Sequence, residues 1–295
     1  MPATDFATAS AKSKLYLHVV GKRADGYHRL ESLVAFARHG DVVTVAPAAK
    51  FSLVIEGPFA AKLAADEDNL VLRAARGLAK LLGTRKAAAI TLTKNLPVAS
   101  GIGGGSADAA ATIRALQWLW NKRDLDWKPL AELALSLGAD VPVCLYDRTS
   151  YVSGIGEKLR HGGALPSADL LLVNPGVATP TPQVFTARAG GFSPSDPWET
   201  PPATTKMTTR QLVALLKKRR NDLTEPAIKV APVIQEVLQA IDKTRGCLLA
   251  RLSGSGATCF VLYAAAASAE AAKATNRKVH PNWWAMATKI KNDAF

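Results

Sequence analysis

A glycine-rich segment is the part of the chain whose residue types point most directly to chemistry. Four of the 21 glycines fall within residues 101–105, in the stretch PVASGIGGGSADAAA (residues 97–111). Glycine costs backbone entropy, so such a run indicates positive φ angles or a very close approach of the backbone. The surrounding pattern predicts a strand over residues 89–93 and a helix over residues 106–120.

Three common glycine motifs do not fit this spacing. The dinucleotide pattern GxGxxG needs glycine or alanine where Ser106 or Asp108 stands, the Walker A pattern lacks its lysine, and no GxSxG elbow surrounds Ser106. A glycine turn that opens a helix aims free amides and the positive end of the helix dipole at one point. This predicts an anion site, usually for phosphate. Ser106 then has two possible roles: it contacts the phosphate or its Mg²⁺, or it caps the helix. We expect the Asp108 carboxylate to lie in the first turn and to interact favourably with the positive end of the helix dipole.

The elements around this segment predict a mixed α+β protein and not the regular alternation of a doubly wound sheet. A proline- and glycine-rich stretch at residues 175–202 is typical of a mobile domain junction. Further strands are predicted at residues 15–20, 30–36, 41–45, 51–56, 247–252, 258–263 and 283–290. Further helices are predicted at residues 69–82, 127–137, 209–219 and 232–243, with an alanine-rich helix before the last strand.

Composition and charge bound the function classes. The 295 residues are 48% hydrophobic and carry a formal net charge of +13, which is ordinary for a globular chain except for its basicity. The basic run at residues 217–220 lacks interleaved aromatic residues, so a solvated face or attraction of phosphate-bearing metabolites is favoured over nucleic acid. The first residues lack a signal-peptide core, and three cysteines without a CxxC pair indicate reduced thiols. We therefore expect a cytoplasmic protein.

Beyond these patterns, the glycine segment resembles the phosphate-binding motif of the GHMP kinases. AKSKLYL (residues 11–17), GKRADGYHRLESL (residues 21–33) and LGADVPV (residues 137–143) narrow the resemblance to the branch that phosphorylates 4-diphosphocytidyl-2-C-methyl-D-erythritol. PTPQVF (residues 180–185) and LSGSGA (residues 252–257) fall where that branch has similar stretches. The resemblance covers nearly the whole chain and is weakest over residues 190–206 and at the final helix and strand.

This resemblance implies a two-domain GHMP kinase fold, with a ribosomal-protein-like α+β domain (residues 1–158), a ferredoxin-like α+β domain (residues 159–295) and the active site in the cleft between them. The implied reaction moves the γ-phosphoryl group of ATP, with Mg²⁺, to the C2 hydroxyl of the methylerythritol moiety in the non-mevalonate isoprenoid pathway. The implied partners are small molecules and not nucleic acid or membrane, and the protein would be a monomer or a weak homodimer.

The resemblance also implies roles for single residues. Asp140 would be the general base, and Lys12 would stabilise the transferring phosphoryl group. The ATP-binding residues would be Pro97, Val98, Ala99, Ser100, Gly101, Ile102, Gly103, Gly104, Gly105, Ser106 and Ala107, with Asn69 and Lys94 at the adenosine. Without the family, Asp140 reads as an ordinary helix cap.

The same resemblance implies a cytidine site. Tyr27 and His28 would bind the base, Phe185 would stack on its other side, and Thr181 would lie close by. Lys14 would contact the substrate, although the branch usually has asparagine there. This second cation either adds an anion contact or lowers the pKa of Lys12.

Several readings from the residues alone stay open. In a strand, the even-numbered residues 12–18 share one face, and this polar pattern by itself indicates solvent exposure. Phe185 also fits a core position, and residues 253–256 fit either a second phosphate loop or a hairpin turn. The competing functions are another GHMP kinase, a catalytically silent relative and a nucleic-acid-binding module. The loop Asp25–Gly26–Tyr27–His28 speaks against the first, because a small acyclic alcohol needs no stacking ring.

Overall fold

The computed structural model describes residues 4–98, 100–201 and 206–292, which form a mixed α+β arrangement with two sheets and so confirm the expected fold class. The described strands are β1 (Asp5–Lys22), β2 (His28–Ala48), β3 (Ser52–Glu56), β4 (Ala87–Thr93), β5 (Ser150–Gly154), β6 (Lys158–His161), β7 (Asp169–Asn174), β8 (Cys247–Leu252), β9 (Cys259–Tyr263) and β10 (Trp284–Lys289). The described helices are α1 (Leu70–Leu81), α2 (Gly104–Leu119), α3 (Trp127–Leu137), α4 (Val141–Tyr146), α5 (Thr181–Thr186), α6 (Thr209–Lys217), α7 (Thr224–Val230), α8 (Val233–Asp242) and α9 (Ala266–Val279).

The chain divides into two compact units, and neither is one continuous segment. The first unit comprises Met1–Ala11, Gly40–Val98 and Gly103–Asp147, and the second comprises Lys12–His39, Ala99–Ile102 and Arg148–Phe295. The functional domain boundary expected at residue 158 stays a prediction. Among the described residues, none of the helices has both the length and the apolar character that a membrane crossing requires.

In the first unit, β4 lies between two neighbouring strands. It pairs antiparallel with the last part of β2 and parallel with β3. Helix α2 packs against α1 and α4, and its run of buried small residues, Ala107 to Ala111 with Asp108 among them, allows close helix packing. The N-cap residue of α1 is Asn69, whose side chain accepts a hydrogen bond from the Val71 amide at 3.0 Å.

In the second unit, the first part of β2 pairs antiparallel with β5, and β5 pairs with β6. A separate antiparallel sheet has the strand order β10-β7-β9-β8, and helices α8 and α9 pack on it. Ile234, Val237 and Ile241 of α8 are fully buried in this core. Their spacing of three and four residues places them in one apolar stripe along the helix.

Two of the predicted strand boundaries are wrong. β1 begins at Asp5 and not near residue 15, and β2 is one strand where the sequence predicts two, separated at Gly40. Gly40 does not mark a turn. A Cβ added at Gly40 would lie 2.2 Å from the Ala9 carbonyl oxygen, so glycine there permits a close approach of two backbones within the first unit.

The region between α3 and α6 contains more regular structure than the sequence predicts. β5, β6, β7, α5 and α4 each have only four to six residues, too few for a periodic pattern. Residues 193–198, expected to lie in a mobile connection, are anchored. Trp198 is 2% exposed and its Nε1 donates to the Gly162 carbonyl at 2.8 Å, while the Asp196 amide donates to Glu31 at 2.9 Å.

Candidate active site

The glycine segment opens helix α2 in the way an anion site requires. Gly103 is the N-cap residue, with φ 68° and ψ 26° in the left-handed region, and the Ala107 amide donates to its carbonyl at 2.8 Å. The amides of Gly104, Gly105 and Ser106 therefore have no acceptor within the helix. Because Ser106 is the third helical residue and not the N-cap, its expected alternative role as a cap is wrong.

The preceding part of the segment belongs to the second unit. Gly101 has φ 74°, and a Cβ added there would lie 2.1 Å from the Gly256 carbonyl oxygen. The Ser100 carbonyl accepts hydrogen bonds from the amide and the hydroxyl of Thr258, at 3.1 and 2.6 Å. The prediction of positive φ and close backbone approach is confirmed. Ala99 lies outside the described residues.

Residues 253–257 form the hairpin turn between β8 and β9. The Ser253 amide donates to the Thr258 carbonyl at 2.9 Å, and the Gly256 amide donates to the Ser253 carbonyl at 3.0 Å. Asn221 is buried and its side chain donates to the carbonyls of Leu252 and Gly254. The hairpin reading is confirmed, and a role for this turn near substrate phosphates stays a prediction.

The polar face of β1 is buried and not exposed to solvent, so the expectation from strand alternation is wrong. Lys12 is 1% exposed and Tyr16 is fully buried, while Lys14 is half-buried with its amide donating to the Ser253 hydroxyl at 3.2 Å. The guanidinium carbon of Arg219 lies over the ring of Tyr16, 5.4 Å from the ring centroid. Burial raises the pKa of Tyr16 well above its usual range, and Arg219 opposes this only partly. The phenol is therefore neutral at all ordinary pH values.

Asp140 lies in the first unit, at the start of α4. It occupies the N-cap position, yet its side chain makes no capping hydrogen bond to the helix amides. Pro142 in the first turn lacks an N–H, which leaves fewer donors to cap. The reading of Asp140 as an ordinary cap is therefore wrong, and its side chain is half-buried.

The residues expected to bind cytidine lie in the second unit. Tyr27 is 62% exposed at the end of a turn, and its amide donates to Asp25 at 3.2 Å. The His28 ring stacks on Phe185, with centroids 4.7 Å apart and an interplanar angle of 17°. Phe185 also packs on the hydrophobic core, so its alternative role as a core aromatic is supported. The Thr181 hydroxyl lies 2.8 Å from that of Ser255.

His28 is neutral at physiological pH. Burial lowers its pKa, and the positive charges of Lys22 and Arg188 lower it further. A neutral imidazole has one donor and one acceptor nitrogen, which is the combination needed to read the edge of a base.

The two residues expected near adenosine are both engaged within the first unit. Asn69 caps α1, and its amide nitrogen also donates to the Ala64 carbonyl at 2.7 Å. The Lys94 ammonium donates to Asp41 at 2.5 Å and to Asp108 at 2.7 Å. The expected role of Asp108 at the helix dipole is wrong, because this carboxylate is buried against Lys94.

Sequence reasoning missed Asp41 and the ion pairs of Asp108. A signal was present, because Asp108 interrupts a run of small apolar residues in α2, and a charge at a buried helix position requires a partner. The partner itself could not be named, since nothing in the local sequence connects α2 to residues 41 and 94.

Comparison with known proteins gives the family. Residues 69–148 match the GHMP kinases N terminal domain, and residues 208–282 match the GHMP kinases C terminal domain. A protein of Rhodospirillum rubrum named 4-diphosphocytidyl-2-C-methyl-D-erythritol kinase is 51% identical over 294 residues, which cover 99% of this chain and 95% of that protein. The chain belongs to this kinase family.

Further relatives agree with this assignment. The kinase of the same name from Paramagnetospirillum magneticum is 53% identical over 94% of this chain and 95% of its own length. A crystal structure of 4-(cytidine 5'-diphospho)-2C-methyl-D-erythritol kinase matches with a TM-score of 0.78 and 32% identity, covering 97% of this chain and 98% of that one. Homoserine kinase from Cytophaga hutchinsonii, at 17% identity and a TM-score of 0.68, shares the fold. The predictions of the family and of a GHMP kinase are confirmed.

Proposed function

We propose that the protein transfers the γ-phosphoryl group of ATP to the C2 hydroxyl of 4-(cytidine 5'-diphospho)-2-C-methyl-D-erythritol, in the non-mevalonate isoprenoid pathway. The observation that carries this proposal is the 51% identity to a kinase of that name over 99% of the chain. We further propose that the protein works in the cytoplasm as a monomer or a weak homodimer, with the boundary between its two functional domains near residue 158 of the chain.

The glycine segment is the proposed phosphate site. Residues 97–107 supply mainly backbone groups, and the amides of Gly104, Gly105 and Ser106 are free of intrahelical partners. Added to the positive end of α2, these donors favour a bound anion without a cationic side chain. Asn69 and Lys94 are the proposed neighbours of the adenosine.

Mg²⁺ would enter with ATP and take most of its ligands from phosphate oxygens and water. The Ser106 hydroxyl, in the first turn of α2, is the side chain we assign beside it. In the described part of the chain, no group of three or more His, Cys, Asp or Glu side chains is placed to hold a metal ion. When bound, Mg²⁺ neutralises phosphate charge.

Asp140 is the proposed general base, which takes the proton of the C2 hydroxyl as this oxygen attacks the γ-phosphorus. Its carboxylate does not cap α4, which supports a role outside the helix. Lys12 is proposed to stabilise negative charge on the attacking oxygen and the transferring group. Its 1% exposure supports this role, because an ammonium that water does not screen acts more strongly on a nearby anion.

The proposed cytidine site consists of Tyr27, His28, Phe185 and Thr181. The exposed Tyr27 ring offers a face for stacking, while the neutral His28 offers a donor and an acceptor. Lys14 is the proposed contact for substrate oxygens, where its positive charge suits a diphosphate better than an amide would.

The test is an ADP-release assay with the cytidyl substrate against a panel that includes homoserine and mevalonate. Asp140→Asn should lower kcat by roughly 10² to 10⁴-fold, as loss of a general base does. Its thermal unfolding should stay close to that of the wild type, because asparagine keeps the size and shape of the side chain. Asp126→Asn is the matched control, since Asp126 is also an N-cap residue without a capping bond.

Two results would contradict the proposal. A kcat/KM for homoserine or mevalonate comparable to that for the cytidyl substrate would contradict the substrate assignment. Full activity in Asp140→Asn would contradict the role of Asp140 as the base but would not contradict the proposed reaction.

A further inference from the structure

A surface cavity of about 470 Å³ lies in the first unit. Its walls come from residues 49–51, which precede β3, from residues 84–87, which precede and open β4, and from α1 with the turn before it. Clefts that bind small molecules measure about 300–1,000 Å³, so this cavity has the size of a small-metabolite site.

The lining of the cavity is strongly positive. It contains Lys50, Arg76, Arg85 and Lys86, together with a single carboxylate, that of Glu67. Four cations to one carboxylate is a much higher ratio than the 37 to 24 of the whole chain. A cleft lined by charges of one sign raises the local concentration of ions of the opposite sign. The cavity therefore favours an anionic ligand.

Most of these cations are not engaged by the protein itself. Within the described ranges, the side chains of Lys50, Arg85 and Lys86 form no ion pair or hydrogen bond, whereas Arg76 pairs with Glu67. The Arg76 side chain is still 40% exposed in that pair, and a guanidinium has five N–H donors. Arg76 can therefore donate to a second anion as well.

The backbone under two of the cations is fixed by the turn that follows α1. The Thr84 amide donates to the Ala79 carbonyl at 3.1 Å, and the Lys86 amide donates to the Thr84 hydroxyl at 3.2 Å. These bonds tie Arg85 and Lys86 to the end of the helix, so their side chains start from defined positions beside the cavity.

Part of the cavity wall is apolar. The half-buried Phe51 ring packs edge-on against Trp120, with centroids 6.4 Å apart and an interplanar angle of 61°. Ala49, Ala79 and Ala87 line the cavity with it. A ligand that fits this lining has an anionic group for the cations and a small apolar group for this wall.

The cavity lies at the opposite end of β4 from the glycine segment. Residues 84–86 precede β4, whereas Lys94 directly follows it and leads to that segment. The seven residues of β4 span roughly 20 Å. A ligand in the cavity would therefore occupy a site separate from the proposed phosphate site of ATP.

We propose that this cavity binds a small phosphate ester whose carbon part is apolar. Its phosphate lies among Lys50, Arg85 and Lys86, because ammonium and guanidinium groups bind phosphate oxygens by charge-assisted hydrogen bonds. Its carbon part contacts Phe51. Glu67 opposes binding, since its carboxylate repels the phosphate and occupies Arg76. The site does not depend on the proposed function.

The test is an NMR titration with phenyl phosphate at about 50 mM salt, where screening is weak. The amide signals of Phe51 and Ala87 report the cavity, and those of Gly104 and Gly105 report the glycine segment in the same spectra. We expect saturable shifts of Phe51 and Ala87. Inorganic phosphate should bind there roughly ten-fold more weakly, because it has no apolar group to bury.

Two pairs of variants test the charges. Arg85→Gln with Lys86→Gln should weaken phenyl phosphate binding at the cavity roughly ten-fold, the effect of two lost ion pairs at a surface. Lys217→Gln with Lys218→Gln is the matched control, since it removes the same net charge from two exposed lysines of the second unit and should leave the affinity unchanged.

The second pair tests the carboxylate. Glu67→Gln should tighten binding by about two- to five-fold, because the competing charge is removed. Glu132→Gln, which changes an exposed carboxylate of α3 in the same unit, should have no such effect.

The outcomes separate this site from the proposed function. Phe51 and Ala87 signals that do not shift, or equal losses of affinity in the two double variants, would overturn the cavity as a phosphate site. Saturable shifts at the cavity in a protein that releases no ADP with any alcohol would support the site and contradict the proposed function.

Discussion

Replacing Gly101 by alanine tests whether the glycine segment is held by the close contact with the hairpin turn. Gly101 has φ 74°, which costs an alanine about 1–2 kcal/mol. The new Cβ would lie 2.1 Å from the Gly256 carbonyl oxygen, and relief of such overpacking costs about 1–3 kcal/mol more. Gly101→Ala should therefore lower the free energy of unfolding by about 2–5 kcal/mol.

Gly105→Ala is the matched control within the same segment. A Cβ there would meet only Leu70 Cδ1, at 3.6 Å, an ordinary contact, and Gly105 lies within α2. Alanine is favoured over glycine in a helix by up to about 1 kcal/mol, so this variant should be as stable as the wild type or slightly more stable.

The assay is urea unfolding followed by circular dichroism and tryptophan fluorescence. Because the chain has two units, the two signals are fitted separately, and the variants are compared at equal m-values. Equal midpoints for Gly101→Ala and Gly105→Ala would refute the reasoning, since the two positions would then tolerate a Cβ equally well.

Two further predictions concern the second unit. Tyr27→Ala should raise KM for the cytidyl substrate by roughly 5- to 100-fold, the value of a lost stacking ring, with KM for ATP unchanged; equal changes in both KM values would contradict a separate base site. For Asp222, burial alone would raise the pKa, but hydrogen bonds from Ser193, the Val19 amide and Arg220 hold it below its usual value. The ionised Asp222 carboxylate therefore stabilises the folded protein at neutral pH, and this stabilisation is lost as the pH falls through the lowered pKa. Asp222→Asn should destabilise the protein by about 1–3 kcal/mol at pH 7 and much less near pH 2, and a difference that is constant with pH would show that the charge is unimportant.

Helices with strong local signals could be predicted closely. The sequence predicts α1 over residues 69–82 and α3 over residues 127–137, and the structure has Leu70–Leu81 and Trp127–Leu137. Asn69 marks the start of α1 through its capping side chain, and Gly138 marks the end of α3 through the conformational freedom of its backbone. Such signals lie within a few residues of the boundary and need no tertiary contact.

The buried face of β1 could not be predicted, because residues far along the chain cover it. The Arg220 amide donates to Nε2 of His18 at 3.3 Å. Arg219 lies over Tyr16. Strand alternation indicates which residues share a face, but whether water or protein meets that face depends on tertiary structure.

In the candidate site, too, local features could be predicted from the sequence and tertiary contacts could not. The opening of α2 by a glycine turn follows from local rules, and the structure agrees with it. The engagement of Lys94 by Asp41 and Asp108 depends on strands and a helix brought together by folding, so only the unusual position of Asp108 pointed to it.

The interleaving of the two units restricts how this protein can be divided or recombined. The first part of β1 and the last part of β2 belong to the first unit, while the rest of both strands belongs to the second unit. A fragment that stops at residue 147 would keep Leu30–Val34 but lose Ser150–Gly154, their antiparallel partners, and the bare strand edge would invite aggregation. A single genetic crossover between homologues therefore cannot exchange one unit intact. Lineages should inherit the two together, and chimeras need at least the three segments of one unit replaced at once.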